Sequence, residues 1–142
     1  MDFGSNHFIT PPDWSHYSSM PSVTHLALDF NYFTAEFPSF ILECHNLTYL
    51  DISQNDWNGT IPESMSSNLA KLEYLNLTNS GLEGKNNLFS GPIPEEIGNL
   101  KELIKLDLSQ NQFSNPIPST LWNLTNIQVL NLCMGGCQRP KG

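Results

Sequence analysis

Basic residues are missing from the first half of this 142-residue chain, where no Lys or Arg precedes Lys71. Eight of the 14 acidic residues lie in that stretch, whereas the residues from position 71 onward carry six charges of each sign, and the net charge is −8. A nucleic-acid partner is disfavoured, because binding a phosphate backbone requires a basic surface. The acidic half suits a basic ligand, or it serves only as a solvated surface that aids solubility.

The chain also lacks long apolar runs and catalytic signatures. No segment has the roughly 18 to 20 consecutive apolar residues that span a bilayer, and the first residues show neither the basic region nor the apolar core of a signal peptide. Zinc-protease, serine-hydrolase, Walker A and kinase catalytic-loop motifs are all absent. We therefore predict a chain with no enzymatic activity, no membrane span of its own and no cofactor.

Cysteine is scarce, with three residues in the whole chain. Cys44 lies in an apolar segment, which predicts a buried free thiol. Cys133 and Cys137 form a CxxxC pair without His or further Cys partners, so no metal site is predicted. The spacing leaves open whether these two cysteines form a disulfide.

What the sequence does contain is one repeated phrase, LxxLxLxxN, followed by an apolar residue, a small residue and usually Ile-Pro. Its starting positions are Val23, Leu47, Leu72, Leu103 and Ile127. The alternation of apolar and polar residues within the phrase predicts a short strand in each copy. The closing asparagine stands where the chain must turn, and its amide can satisfy backbone groups of the turn and of the next coil. We therefore predict an asparagine ladder made of Asn6, Asn31, Asn55, Asn87 and Asn111.

The phrase, together with GTIP at residues 59–62, GPIP at 91–94 and NPIP at 115–118, resembles the plant-specific form of the leucine-rich repeat. The resemblance covers residues 1–132 and implies an α/β fold of about six full or partial repeats. Such repeats stack into a right-handed solenoid, with short parallel strands on the concave face and short helices on the convex side. Residues 133–142 depart from the repeat and are predicted to be a separate tail.

One interval breaks the regular spacing of the repeats. The step from Leu72 to Leu103 is longer than the others, and the asparagine position recurs only seven residues after Ser80, at Asn87. We predict an irregular junction near residues 80–87 that joins two incomplete repeats and exposes strand edges. The phrase also predicts that the chain begins inside a strand, as part of a longer protein.

The outward positions of the strands form the candidate binding surface, because alternate side chains point to opposite faces. Tyrosines supply rigid contact area, and carboxylates can pair with a basic group of a ligand. Alternatively, these side chains only keep the sheet soluble. The predicted ligand-binding residues are His25, Asp29, Tyr49, Asp51, Tyr74, Asn76, Lys105 and Asp107. The three tryptophans, Trp14, Trp57 and Trp122, are predicted to pack in the core or in grooves between coils.

Four sequons are candidate glycosylation sites, and they begin at Asn46, Asn58, Asn76 and Asn123. Their density is typical of a secreted glycoprotein, although repeats rich in Asn, Leu and Thr also generate sequons by chance. A glycan on Asn76 would project from the concave sheet and obstruct a ligand there.

The resemblance implies a protein- or peptide-binding module at the outer face of the plasma membrane or outside the cell. It favours part of the ectodomain of a plant receptor-like kinase acting in signalling or defence, with a peptide, a protein ligand or a co-receptor as its partner. Two alternatives remain open. One is a free-standing secreted inhibitor or defence protein similar to polygalacturonase inhibitors, and the other is a truncated gene product without a binding role.

Overall fold

The computed structural model describes residues 1–12, 20–79, 88–114 and 116–133. Within these ranges each coil contributes a three-residue strand to a parallel sheet, because apolar side chains alternate with outward polar ones there. The strands of this first sheet are β1 (His25–Ala27), β2 (Tyr49–Asp51), β4 (Tyr74–Asn76), β6 (Lys105–Asp107) and β8 (Val129–Asn131). They lie side by side in that order. The coils therefore stack as a solenoid.

A second parallel sheet lies further along each coil. It contains β3 (Asn58–Gly59), β5 (Leu88–Pro92) and β7 (Gln112–Ser114), in that order. Short helices complete the coils, namely α1 (Ser39–Leu42), α2 (Met65–Asn68) and the 3₁₀-helices Glu95–Asn99 and Ser119–Asn123. Three of the four begin directly after a proline, which occupies the N-cap position in an extended conformation. The predicted arrangement of short parallel strands and short helices is confirmed.

The core runs through the middle of the stacked coils. The strand-centre side chains Leu26, Leu50, Leu75 and Leu106 are at most 1% exposed. Burial of each such side chain contributes roughly 1.5 to 3 kcal/mol. Cys44 is fully buried as a free thiol, as predicted.

Two tryptophans of the chain have opposite environments. Trp57 is fully buried, its Nε1 donates to the Ile52 carbonyl oxygen at 2.6 Å, and its ring stacks on Phe33 at 5.3 Å. Trp122 is 76% exposed, so the prediction that it packs in the core or a groove is wrong. A 3₁₀-helix has three residues per turn, and the buried Leu121 and Leu124 occupy its inner side, which leaves Trp122 outside. Trp14 lies outside the described residues.

The predicted asparagine ladder is present in the described coils. Asn31, Asn55 and Asn111 are buried, and each Nδ2 donates to the carbonyl groups two and three residues earlier in its own coil. Each also donates to a carbonyl oxygen of the preceding coil, at 3.0, 2.9 and 2.8 Å respectively. Asn6 Nδ2 donates to the carbonyl oxygens of Phe3 and Gly4 in its own coil. Asn87 lies outside the described residues.

The strands of the first sheet that flank the predicted junction pair with each other. β4 pairs with β2 on one side and with β6 on the other, in the register Tyr49↔Tyr74↔Lys105. β5, beyond the junction, pairs with β3 and β7 in the second sheet. Among the described residues, β4 and β5 are therefore paired on both sides, so neither of these two strands has the exposed edge that we expected beside the junction. The junction residues 80–87 and the tail residues 134–142 lie outside the described residues.

Candidate functional site

Four side chains on the concave sheet form a stack that we call the aromatic row, made of His25, Tyr49, Tyr74 and Lys105. The rings of His25 and Tyr49 lie 3.9 Å apart and 8° from parallel, and those of Tyr49 and Tyr74 lie 4.1 Å apart at 11°. Lys105 Nζ lies 4.8 Å from the centre of the Tyr74 ring and 3.4 Å from its hydroxyl. Aromatic stacking and the cation–π contact hold these side chains in place before any ligand binds.

Strand register explains why the row forms. His25, Tyr49, Tyr74 and Lys105 are consecutive partners across β1, β2, β4 and β6. In-register parallel strands place equivalent side chains about 4.8 Å apart, which is close to the distance between the centres of neighbouring stacked rings. The column predicted from the sequence is therefore confirmed, and its fifth member is Val129, whose side chain is exposed.

A second row runs beside the first, two residues further along each strand. This Asp/Asn row contains Asp51, Asn76, Asp107 and Asn131, so carboxylate and amide alternate. Asn76 Nδ2 donates to Asp51 Oδ2 at 3.0 Å, and Asn131 Nδ2 donates to Asp107 Oδ2 at 3.2 Å. Each amide therefore donates a hydrogen bond to the carboxylate in the coil before it.

Serines donate hydrogen bonds to the second oxygen of both carboxylates. Ser53 Oγ donates to Asp51 Oδ1 at 2.6 Å, and Ser109 Oγ donates to Asp107 Oδ1 at the same distance. Sequence reasoning did not identify this role, although the Asp-x-Ser spacing of residues 51–53 and 107–109 carries the signal. Asp51 is only 7% exposed and has both oxygens engaged, so it orders its neighbours and presents little surface to a ligand.

Burial and neighbouring charges shift the titration of three groups on this face. Partial burial, followed by the charges of Asp51 and Asp2, raises the pKa of the Asp29 carboxyl. Burial, followed by the Tyr74 hydrogen bond, raises the pKa of Tyr49, and burial likewise raises the pKa of Tyr74. Both phenols therefore remain protonated at physiological pH and act as neutral hydrogen-bonding groups.

A shallow cleft lies at the N-terminal ends of strands β4, β6 and β8. It has a volume of about 290 Å³ and is lined by Glu73, Glu102, Ile104, Asn126 and Gln128. Two of its lining residues, Glu73 and Ile104, immediately precede Tyr74 and Lys105 in the chain. Its two carboxylates suit a basic side chain.

The remaining predicted site residues are spread over the surface. Asp29 lies beyond the Asp/Asn row in the first described coils, where its carboxylate approaches Gly4. Asn46, Asn58 and Asn123 are exposed and lie off the concave face, whereas Asn76 belongs to the Asp/Asn row. Cys133 is disulfide-bonded, and Cys137 lies outside the described residues.

Within residues 1–12, 20–79, 88–114 and 116–133, no group of three or more His, Cys, Asp or Glu side chains is arranged to hold a metal ion. Among the same residues, no helix has the length and apolar character that crossing a bilayer requires.

The repeat phrase, the stacked coils and the concave rows together define a leucine-rich-repeat solenoid of the plant type. Residues 21–82 match the family profile described as Leucine rich repeat, and residues 102–124 match a second leucine-rich-repeat profile. The chain belongs to the leucine-rich-repeat proteins and is similar to plant receptor ectodomains.

Among curated proteins the chain is similar to Receptor-like protein 35 of Arabidopsis thaliana, with 39% identity over 112 residues. The match covers 79% of this chain and 11% of that protein. The chain therefore spans about a tenth of the length of that relative.

Solved structures give the same family. The plant peptide hormone receptor RGFR1, solved in complex with RGF2, is 29% identical with a TM-score of 0.78, over 93% of this chain and 20% of that one. PEPR1, solved with AtPEP1, is 30% identical with a TM-score of 0.76, over 92% of this chain and 17% of that one.

Proposed function

We propose that this chain is a non-catalytic binding module whose concave face holds an extended peptide or a segment of a protein partner. The observation that supports this most directly is the aromatic row. Four side chains from four different coils are held in one stack, with tyrosine hydroxyls and the Lys105 ammonium group along its edge. Pre-ordered aromatic and cationic groups bind partners with little loss of side-chain entropy.

The charges around the row indicate which ligands fit. Asp29 and the cleft carboxylates Glu73 and Glu102 favour a ligand with basic side chains, and Lys105 favours an acidic group at its own end of the row. Because the row runs across the strands, an extended ligand would lie along the axis of the solenoid. The peptide-bound receptors RGFR1 and PEPR1 share the fold, which supports a peptide as the partner.

The biological setting follows from the relatives. We propose that the chain acts at the cell surface or outside the cell, as part of a receptor ectodomain in signalling or defence, with a peptide ligand or a co-receptor. The described concave strands present only a few hundred Å² of flat surface, compared with about 800 Å² per partner in a standard interface. We therefore expect this chain alone to bind weakly, with a dissociation constant in about the micromolar range or above.

The test uses the full chain and a displayed library of random peptides. Enriched peptides are synthesised and measured by isothermal titration calorimetry against the wild type, Tyr74→Ala and Lys105→Met. We expect each substitution to weaken binding about tenfold, the loss of roughly 1.4 kcal/mol that is typical of an interface residue.

Trp122→Ala serves as the matched control, because this exposed aromatic side chain lies on the convex side. It should leave the affinity unchanged. Peptides that bind Tyr74→Ala and Lys105→Met as tightly as the wild type, in variants whose circular dichroism shows a native fold, would contradict a concave site. A library that yields no enriched peptide would contradict peptide binding by this chain.

A further inference from the structure

The four sequons of the chain differ in how their side chains are used, although their sequences are alike. Glycan transfer forms a bond between a sugar carbon and Asn Nδ2. The carbon's bond to the diphosphate of a lipid-linked oligosaccharide breaks, and Nδ2 gives up one of its two hydrogens. The hydrogen bonds of Nδ2 and of the sequon hydroxyl therefore determine how much stability the folded protein loses when a glycan is attached.

In the sequon at Asn46, both side chains connect neighbouring coils. Asn46 Nδ2 donates to the Pro21 carbonyl oxygen at 2.8 Å, and its Oδ1 accepts from Lys71 Nζ at 2.6 Å. Thr48 Oγ1 donates to the Thr24 carbonyl oxygen at 3.1 Å. A glycan at this position would compete with the bond that ties Asn46 to the preceding coil.

The sequon at Asn76 is used in the same way on the concave face. Asn76 Nδ2 donates to Asp51 Oδ2 at 3.0 Å and lies 3.3 Å from Ser53 Oγ. Thr78 Oγ1 donates to the Ser109 carbonyl oxygen at 2.9 Å and lies 2.5 Å from Ser109 Oγ. Loss of one Nδ2 hydrogen would weaken the Asp/Asn row, and the attached sugar would cover the aromatic row.

The other two sequons have none of these connections. Asn58 and Thr60 are exposed, as are Asn123 and Thr125, and within the described residues none of the four makes a side-chain hydrogen bond. Asn58 begins β3 in the second sheet, and Asn123 ends a 3₁₀-helix on the convex side. Glycans at both positions would extend into solvent and away from the concave sheet.

We infer that the folded protein carries N-linked glycans on Asn58 and Asn123 and keeps Asn46 and Asn76 unmodified as connectors between coils. A chain modified at Asn46 or Asn76 before folding would have to fold without those bonds, so it is depleted from the folded monomer. The assignment does not depend on the proposed peptide ligand. It does explain how a glycosylated chain keeps its concave face open.

The test passes the full chain through a plant secretory pathway behind a cleavable signal peptide. The monomeric secreted fraction is treated with a peptide N-glycosidase in H₂¹⁸O, which converts each occupied Asn to labelled Asp, and is analysed by mass spectrometry. We expect label at Asn58 and Asn123 and none at Asn46 or Asn76. Synthetic peptides of all four sequons, offered to the transferase, should all be modified, because the selection arises in the fold.

Four matched Thr→Val variants separate the two classes of sequon. Thr60→Val and Thr125→Val should each remove one glycan, seen as one step in gel mobility, with the unfolding midpoint of the deglycosylated protein unchanged. Thr48→Val and Thr78→Val should leave the mobility unchanged and lower that midpoint. Label at Asn46 or Asn76 in the folded monomer, loss of a glycan in Thr78→Val, or absence of label at Asn58 and Asn123 would each overturn the assignment.

Discussion

The buried asparagines of the ladder make unequal numbers of hydrogen bonds. Asn55 donates three and accepts one from the Phe33 N–H at 3.1 Å. Asn111 also donates three, but its buried Oδ1 has no partner in the described part of the chain. A buried acceptor without a partner costs about 1 to 3 kcal/mol. Asn111 therefore stabilises the ladder less than Asn55 does.

This difference predicts a graded series of substitutions. Asn55→Ala should lower the free energy of unfolding by roughly 2 to 4 kcal/mol, because it removes the acceptor of a buried N–H as well as three donated bonds. Asn111→Ala should cost about 1 to 2 kcal/mol, since its Oδ1 accepts no hydrogen bond from the described residues. The exposed Asn6→Ala is the control and should cost less than about 0.5 kcal/mol. Urea denaturation followed by circular dichroism measures all three, and equal losses at Asn55 and Asn111 would contradict the role given to Oδ1.

The two described tryptophans give a second residue-level prediction. Trp57→Ala should lower the free energy of unfolding by about 3 to 5 kcal/mol, because it leaves a cavity beside Phe33 and removes the Nε1 bond to the Ile52 carbonyl. Trp122→Ala should change it by less than about 0.5 kcal/mol. Thermal unfolding of the two variants is the measurement. A large loss in Trp122→Ala would show that the exposed ring packs against another part of the protein.

At the scale of elements, the two 3₁₀-helices of the last described coils are in close contact. A methyl group on Gly98 would lie 2.7 Å from Thr120 Cβ and closer still to the Thr120 carbonyl oxygen. Gly98→Ala should therefore push the helices apart and cost about 1 to 3 kcal/mol.

Asn99→Ala provides the control, because it lies in the same helix with an exposed side chain. Differential scanning calorimetry should show a lower unfolding temperature for Gly98→Ala alone. If both variants unfold at the wild-type temperature, the helices are not packed as closely as the backbone positions require.

The strands of the first sheet were predictable because the repeat phrase fixes which residues face inward. Leu50, Leu75 and Leu106 occupy equivalent places, and their strands pair in the expected register. The phrase also predicted the aromatic and Asp/Asn columns, since register follows from the buried leucines. It did not predict the stacking of the rings or the serine contacts, which depend on side-chain rotamers.

The pairing of the strands on either side of the junction could not be predicted, because spacing along the chain counts residues, whereas a coil is closed by pairing with its neighbours. β4 finds β2 and β6, and β5 finds β3 and β7, so one coil takes its first strand from one incomplete repeat and its second from the other. Trp122 was misjudged for a related reason. Its place in a convex segment was clear, but the side that it faces depends on the three-residue turn of a 3₁₀-helix.

For the molecule as a whole, the main asymmetry is that of charge. The half without Lys or Arg includes Asp2, Asp29 and Asp51, which approach one another across the first coils of the concave side. In a solenoid each coil is stabilised mainly by its neighbours, so repulsion within one pair of coils is not compensated by distant basic residues. The acidic end is therefore where the stability of the protein should depend most on pH.

Asp29→Asn tests this dependence. The pKa of Asp29 is raised above its ordinary value of 3.8 in the folded protein, so the folded state keeps the proton to higher pH than the unfolded chain. Stability from this group is present below pH 3.8 and is lost as the pH rises through the raised value, because the unfolded chain then binds fewer protons. At pH 7 the ionised carboxylate is unfavourable, and Asp29→Asn should stabilise the protein by less than about 1 kcal/mol, since solvent screens a partly exposed group. At pH 3 both proteins carry a neutral side chain and should have equal urea midpoints, whereas a variant that is less stable at pH 7 would show that Asp29 makes a favourable contact as an anion.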